Sequence, residues 1–220
     1  MAVGMRDFYI VTGIVLKAEP IGEYDRRVVL LTKEKGKITA FAKFSRKPGN
    51  KLMAPTNPFC FGQFKIYEGR SAYTIAEAEI TNYFEELRKD FEGAYYGIYF
   101  MEICDYYGRE NNDDSHMLKL LYQSLRALSA KSIPRQLVRC IFECKVIMIN
   151  GEFQHIRGEK ELHQTTIYTI TYIWNTPVEK LYTFTLKEDI LKELQQYCKE
   201  LCRCTWDRDF KSLEILENLT

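Results

Sequence analysis

Five short runs of strand-favouring residues in the first 80 positions constrain the fold more than any other feature of the chain. The runs are rich in Val, Ile, Thr, Phe and Tyr, which pack well on a pleated sheet. Links containing glycine join them at hairpin spacing, as at 33–37. Five short strands joined this way favour a small barrel over a sandwich. We predict strands at 8–16, 26–32, 38–44, 59–68 and 71–80, with Ile38, Ala40, Ala42 and Phe44 on one face.

Beyond Thr81 the apolar residues recur at the spacing of amphipathic helices. Thr185 and Glu188 have the spacing of a capping box, which predicts the start of the last long helix. Residues 165–174 are ambiguous, because their Thr, Ile and Tyr side chains favour strands. The remaining pattern predicts helices over 91–107, 115–128, 133–150, 185–204 and 211–216.

These patterns predict a mixed α+β protein with two domains. We expect a five-stranded β-barrel over residues 1–81 and an all-α helical domain over residues 82–220. A chain of 220 residues suits this division, since domains commonly contain about 100–150 residues.

The sequence has the pattern of a cytoplasmic protein. Its longest apolar run, 138–149, contains Arg139, Glu143 and Lys145, whereas a membrane span needs roughly 20 apolar residues. The first ten residues lack the basic and apolar segments of a signal peptide. Seven cysteines, an odd number, favour reduced thiols, and we expect them to act as small apolar packing residues.

Positive charge is concentrated near the start of the chain. The formal net charge is only +1, but residues 26–51 contain nine basic residues and a single acid, Glu34. Tyr24, Phe41 and Phe44 lie among these charges, and basic barrels with aromatic residues commonly bind single-stranded nucleic acid. The ordinary alternative is a solvated charged surface.

Catalytic and metal-binding patterns are weak. The chain has no phosphate-binding glycine loop, no HExxH motif and no nucleophile elbow. Glu23 and Asp25 form an acidic pair, which fits a turn with acid–arginine pairing better than a metal site. Cys198, Cys202 and Cys204 are close in sequence, but the Cys198/Cys202 spacing fits a helix stripe better than a zinc site, and His155 and His163 have no cysteine near them in sequence. We predict a protein that is not an enzyme and has no cofactor or metal.

Four segments in order resemble the RecO family of bacterial recombination mediators. The first is GIVLKAEPIGEYDRRVVLLTKEKGKITAFAKFSRKPGNKL, residues 13–52, and the second is PFCFGQFKIYEGRSAYTIAEAEITNYFEELRKD, residues 58–90. EKLYTFTL at 179–186 and FKSLEIL at 210–216 are similar to the C-terminal signatures of the family. The resemblance covers nearly the whole chain.

The resemblance implies an N-terminal OB-fold, a C-terminal helical domain and a function in DNA repair and recombination. Members of the family bind single- and double-stranded DNA and anneal complementary strands. With RecR, and in some organisms RecF, they help to load RecA onto DNA coated by single-strand binding protein, whose acidic C-terminal tail they contact. The resemblance also implies a bacterial, nucleoid-associated protein without nucleotide hydrolysis.

The basic residues in the matching segment are carried over as DNA contacts. Many relatives also have a four-cysteine zinc hairpin, but residues 151–167 contain no cysteine, so zinc is not carried over. Arg135 and Arg139 lie on an apolar helix, where an arginine could hold a carboxylate of an acidic tail. The expected DNA contacts are Arg26, Arg27, Lys35, Lys37, Lys43, Arg46 and Lys47.

Two other classes of function remain open on the sequence alone. One is a protein–protein adaptor whose barrel binds an acidic partner. The other is a metal-dependent enzyme that uses Glu23 and Asp25.

Overall fold

A computed structural model describes residues 8–69, 72–154 and 162–218. The chain divides into two compact units, considered separately below. The barrel unit contains the described residues of Met1–Phe84 and Cys104–Leu118, and the helical unit contains those of Glu85–Ile103 and Lys119–Thr220. The division into domains at 81/82 stays a prediction, since the segment Cys104–Leu118 belongs to the barrel unit.

Five strands form a closed barrel in the order β1-β2-β3-β5-β4. All neighbouring strands are antiparallel except β3 and β5, which pair in parallel. This is the arrangement of an OB-fold, so the predicted fold class is confirmed. The strands are β1 Phe8–Ile21, β2 Asp25–Thr32, β3 Gly36–Ala42, β4 Phe61–Glu68 and β5 Tyr73–Asn82.

Every second side chain along a strand points into the barrel and fills its core. In β3, Ile38, Ala40 and Ala42 are buried in the core while the intervening residues are partly accessible. Gly36 makes the β2–β3 hairpin possible: its φ is +64°, and a Cβ there would lie 2.2 Å from the carbonyl oxygen of Arg109.

The prediction that the third strand extends to Phe44, on the same face as Ile38, Ala40 and Ala42, is wrong. The strand ends at Ala42, and Phe44 has a φ of 54° and is 56% exposed. Its backbone N–H donates to Asp25 Oδ1 at 2.7 Å, which ties the turn after β3 to the start of β2.

The helical unit is built around α4, in which nine of the fifteen residues are buried and the others are partly accessible. No described helix is long and apolar enough to cross a membrane. Numbered along the whole chain, the helices are α1 Glu85–Lys89, α2 Phe91–Tyr107, α3 Ser115–Ala130, α4 Arg135–Ile149, α5 Gln164–Asn175, α6 Glu188–Thr205 and α7 Lys211–Glu217, with a 3-10 turn at Val178–Lys180.

The ambiguous segment 165–174 is helical and forms most of α5. Its buried residues, Thr166, Thr169, Ile170 and Ile173, have helical spacing. Lys145 Nζ binds the end of this helix by donating to the carbonyl oxygens of Ile173, Trp174 and Thr176 at 2.8–2.9 Å. Tertiary packing therefore outweighs the strand preference of the sequence.

The predicted capping box at Thr185 is wrong. Helix α6 begins at Glu188, and its N-cap residue is Lys187, which makes no side-chain capping bond. The Glu188 carboxylate instead accepts a hydrogen bond from Lys192 Nζ at 2.6 Å, one turn further along the helix.

Candidate nucleic-acid interface

Three segments converge at one end of the barrel. The turn at 22–24 joins β1 to β2, and its Tyr24 carbonyl accepts a hydrogen bond from the backbone N–H of Arg46 at 2.8 Å. The Asp25 carboxylate accepts from the N–H of Phe44. Arg26 Nη1 reaches the Met53 carbonyl at 2.7 Å, which ties the following loop to the same end. These bonds fix a surface around the β1–β2 turn.

Arg26 holds this end of the barrel together. It lies on the same face of β2 as the buried residues Val28 and Leu30, and it also donates to the Thr56 hydroxyl at 2.9 Å. Partial burial, followed by the nearby charge of Arg46, lowers the pKa of the Arg26 guanidinium. Both of its hydrogen bonds go to the loop that follows β3, one to a backbone carbonyl and one to a side-chain hydroxyl.

Four exposed basic residues surround this point, and we call them the cationic end: Lys43, Arg46, Lys47 and Lys51. Among the described residues, Lys43, Lys47 and Lys51 have no ion-pair partner, and Arg46 Nη1 donates to the Glu23 carbonyl at 3.2 Å.

Exposed aromatic rings lie beside the cationic end. Phe44 is 56% exposed and Tyr24 is 39% exposed. Both are tied to this end by the backbone hydrogen bonds described above. Exposed rings among lysines and arginines are the combination that stacks bases while binding phosphates.

Of the other predicted DNA contacts, Arg27 lies at the same end of the barrel as Arg26 but beside an acid, whereas Lys35 and Lys37 lie at the opposite end of the β2–β3 pair. Arg27 faces Glu19 across the β1–β2 pair, with Nη1 and Oε2 3.6 Å apart. Lys35 lies over the ring of Tyr9, 3.9 Å from its centroid. Lys37 Nζ donates to the Asp105 carbonyl at 2.5 Å and to Oδ1 at 3.2 Å.

The predicted set is therefore split between two ends of the barrel. Six residue steps separate the ends of β3, about 20 Å at the usual strand rise of about 3.3 Å per residue. Burial favours the neutral form of Asp105, but the hydrogen bond from Lys17 and the charge of Lys37 outweigh it and lower the pKa of this carboxyl. Lys37 is thus neutralised, while Arg26, Lys43, Arg46 and Lys47 are brought together.

Arg135 in the helical unit is enclosed by acids. It forms ion pairs with Asp90 and Glu92, and Asp90 also binds Lys131 Nζ at 2.8 Å. The side chain of Arg135 is only 19% exposed. The guanidinium of Arg135 therefore already binds two carboxylates at the start of α2.

Arg139 borders an open cleft of about 660 Å³, which we call the Arg139 cleft. Arg139 Nε donates to Glu143 Oε1 at 2.7 Å, and its guanidinium lies 5.6 Å from the centroid of the Tyr99 ring. The cleft combines basic, acidic and apolar side chains. It is lined by Arg139, Lys199, Cys202, Arg203, Trp206, Asp207, Arg208, Asp209, Phe210, Leu213 and Glu214.

Family models match both parts of the chain. The model of the N-terminal part of recombination protein O matches residues 5–84, and the model of its C-terminal part matches residues 88–153. Together they cover more than half of the chain. The chain belongs to the RecO family.

Relatives named DNA repair protein RecO align with most of the chain. The one from Acetivibrio thermocellus is 25% identical, over 94% of this chain and 96% of the relative. The one from Clostridium novyi is 25% identical, over 100% of this chain and 97% of the relative. The one from Alkaliphilus metalliredigens is 30% identical, over 70% of this chain and 63% of the relative. This chain is therefore a DNA repair protein of the RecO family with an OB-fold barrel.

Some features of this RecO-family surface were not predicted. Lys51 belongs to the basic stretch but was not among the expected contacts, although the loop brings it to the cationic end. Apart from Arg139 on α4, the basic residues of the Arg139 cleft come from α6 and the segment after it, and only the spacing of about one helical turn from Lys199 to Arg203 signals a shared face.

The acids, histidines and cysteines considered as catalytic or metal-binding residues in the sequence have structural roles where the structure describes them. The Asp25 carboxylate accepts the Phe44 N–H, while Arg26 donates to the following loop and Arg27 pairs with Glu19, so the acid–arginine pairing predicted for Glu23 and Asp25 is not what holds this turn among the described residues. His163 is the N-cap residue of α5 and accepts from the Thr165 N–H, while His155 lies outside the described residues. In α6, Cys198 is buried and Cys202, four residues further on, is partly buried, whereas Cys204 is exposed.

Proposed function

We propose that this protein binds single- and double-stranded DNA through the cationic end of its barrel. The observation that carries the proposal is the convergence of Lys43, Arg46, Lys47 and Lys51 beside exposed Tyr24 and Phe44. An OB-fold commonly uses strands β2 and β3 and the β1–β2 loop to bind oligonucleotides. Phosphate contacts from these side chains would give affinity with little dependence on base sequence.

Strand annealing follows from the same surface. A cluster of cations can hold two complementary strands close together by reducing their mutual repulsion. We propose that the protein anneals strands in this way and, with RecR and in some organisms RecF, helps to load RecA onto DNA coated by single-strand binding protein. This function places it at the nucleoid.

Charge reversal at the cationic end tests the DNA proposal. The variant Lys43→Glu/Lys47→Glu/Lys51→Glu should bind single-stranded DNA more weakly and anneal complementary oligonucleotides more slowly. Because each phosphate contact on a single strand contributes about −0.7 to the slope of log affinity against log salt, three lost contacts should reduce that slope by about 2. Fluorescence anisotropy over a salt series measures both quantities.

A matched variant separates local charge from net charge. Lys180→Glu/Lys187→Glu/Lys211→Glu changes three exposed lysines of the helical unit and alters the net charge equally. It should retain the affinity and the salt slope of the parent protein. Equal losses in both variants, or no loss in the first, would refute a DNA site at the cationic end. Retained binding of an acidic peptide without any DNA binding by the parent protein would favour the adaptor function.

We propose that the Arg139 cleft binds the acidic C-terminal tail of single-strand binding protein. Arg139 uses its Nε for Glu143, which leaves its two Nη groups for a carboxylate. Trp206, Phe210 and Leu213 line the cleft with apolar surface suited to the side chains of a peptide. Arg135, with its ion pairs to Asp90 and Glu92, is the less suitable of the two arginines.

A labelled tail peptide tests this partner site. Lys199→Glu, on the exposed rim of the cleft, should weaken peptide binding about three- to tenfold, equivalent to about 0.7–1.4 kcal/mol. Lys187→Glu, on the same helix but outside the cleft, should leave binding unchanged. Peptide affinity that is unaffected by Lys199→Glu would place the tail elsewhere.

A further inference from the structure

Sulfur and carboxylate groups cluster in the core of the helical unit, between α4 and α6. Cys140, Glu143 and Cys144 occupy one face of α4, because residues three and four apart are neighbours on a helix. Cys198 of α6 lies opposite them, with its Sγ 3.5 Å from Cys144 Sγ. One ligand atom from each of Cys140, Glu143 and Cys198 lies within 4.8 Å of the other two.

These separations are those of a site for a single metal ion. With Zn–S bonds of about 2.3 Å, two sulfur ligands on a tetrahedral zinc ion lie about 3.8 Å apart. The Cys144–Cys198 distance is within a few tenths of an ångström of that value. Small side-chain rotations would bring the 4.8 Å set to the same spacing.

The side chain of Glu143 is a second, independent observation that points to a metal ion. Only 1% of its surface is exposed. Its Oε1 accepts hydrogen bonds from Tyr99 Oη and Arg139 Nε, both at 2.7 Å. Its Oε2 is fully buried and has no hydrogen-bond partner among the described residues. Packing explains buried cysteines, but it does not explain a buried carboxylate oxygen without a partner, which is costly in a protein core.

The charges of the cluster match a divalent cation. As thiolates, Cys140 and Cys198 would join Glu143 in supplying three negative charges, and Arg139 supplies one positive charge beside Glu143. A divalent ion supplies the remaining two. Thiolate ligands select zinc and similar soft metals, whereas Mg²⁺ and Ca²⁺ prefer sites made of oxygen alone.

We propose that Cys140, Glu143 and Cys198 bind a zinc-like divalent cation in the core of the helical unit, with Cys144 beside the fourth position. This site is distinct from the proposed DNA site. Arg139 connects it to the Arg139 cleft through the ion pair with Glu143, but metal binding by the two cysteines requires neither DNA nor peptide. It would join α4 to α6 through the metal, so metal binding should stabilise the helical unit.

Cobalt substitution tests the site in the full-length protein. The protein is reduced, freed of metal and titrated with Co²⁺. We expect a thiolate-to-cobalt charge-transfer band in the near ultraviolet and tetrahedral d–d bands in the visible region, all lost when Zn²⁺ is added. Zn²⁺ alone should raise the Tm of the parent protein.

Variants show which thiols are responsible. Cys198→Ala and Cys140→Ala should each abolish the cobalt spectrum and the rise in Tm, while circular dichroism verifies that each variant is folded. Two matched controls, Cys60→Ala in the barrel core and Cys204→Ala on the surface, should keep the spectrum. If one site variant fails to fold, the other decides the test.

Two results would overturn the proposal. One is the absence of a cobalt spectrum in parent protein whose seven thiols all react after denaturation, which would exclude oxidation as the cause. The other is a spectrum that persists in a folded Cys198→Ala or Cys140→Ala variant.

Discussion

Arg26 has a structural role at the cationic end of the barrel. It joins β2 to the loop that carries Lys47 and Lys51 through hydrogen bonds to the Met53 carbonyl and the Thr56 hydroxyl. Its predicted contact with DNA stays a prediction. The hydrogen bonds indicate in addition that it positions the cationic end.

Removing the Arg26 side chain should destabilise the barrel. We expect Arg26→Ala to lower the free energy of unfolding by about 1–3 kcal/mol, because it leaves the buried Thr56 hydroxyl and the Met53 carbonyl without their charged donor. Urea denaturation measures this change. Lys43→Ala, on the exposed surface nearby, should change stability by no more than about 0.5 kcal/mol. Equal stability of the two variants would contradict the positioning role.

Asp90 should make stability depend on acid pH. The hydrogen bond from Lys131, then the backbone N–H of Gly93 and the charge of Arg135, lower the pKa of its carboxyl below the ordinary 3.8. A carboxyl whose pKa is lower in the folded state stabilises the protein above its unfolded pKa, and this contribution is lost as pH falls through the folded pKa.

Asp90→Asn tests this dependence. The parent protein should be more stable than the variant at neutral pH, and the difference in free energy of unfolding should shrink as pH falls below 3.8. Urea denaturation over a pH series gives the two curves. A difference that stays constant with pH would show that Asp90 has the same pKa in both states.

At the scale of single elements, the structure differs from the sequence predictions where contacts with residues distant in sequence determine the secondary structure. Local patterns predicted all five strands and the course of α2, because alternation and helical spacing depend on neighbouring residues. They did not resolve α5, whose C-terminal carbonyls are bound by Lys145, about 30 positions earlier in the chain.

The cationic end was predictable in composition but only partly in location. Alternation along β2 and β3 indicates which lysines and arginines lie on a strand, but Lys37 is neutralised by Asp105, 68 positions away. The turn that exposes Phe44 depends on the side chain of Asp25, 19 positions earlier. Pairings over such separations follow from barrel closure and leave no local signal in the sequence.

Lys145 should be essential to the stability of α5. Lys145→Met keeps the apolar part of the side chain but leaves three carbonyl oxygens without their charged donor. We expect a loss of about 1–3 kcal/mol in the free energy of unfolding, together with faster amide exchange in the last turn of α5. Lys192→Met, which removes an exposed lysine of α6, is the matched control and should cost less than about 0.5 kcal/mol.

At the scale of the whole molecule, charge is divided along the chain. Residues 1–81 contain 13 basic and 8 acidic residues, whereas residues 82–220 contain 18 and 22. A net charge of +1 therefore conceals a positive first part and a negative second part. A long polyanion such as DNA should bind the positive first part of the chain. A short acidic peptide can bind the negative second part only at a local basic site such as the Arg139 cleft.

This division predicts two anion sites that can be inactivated independently. Lys43→Glu/Lys47→Glu/Lys51→Glu should lose DNA binding but retain the affinity of the parent protein for the acidic tail peptide. Lys199→Glu should show the opposite loss, because Lys199 lines the Arg139 cleft in the helical unit. Anisotropy with labelled DNA and labelled peptide, measured on the same preparations, gives both affinities. If Lys199→Glu weakened the binding of DNA and peptide by the same factor, one shared anion surface would explain the data better than two separate sites.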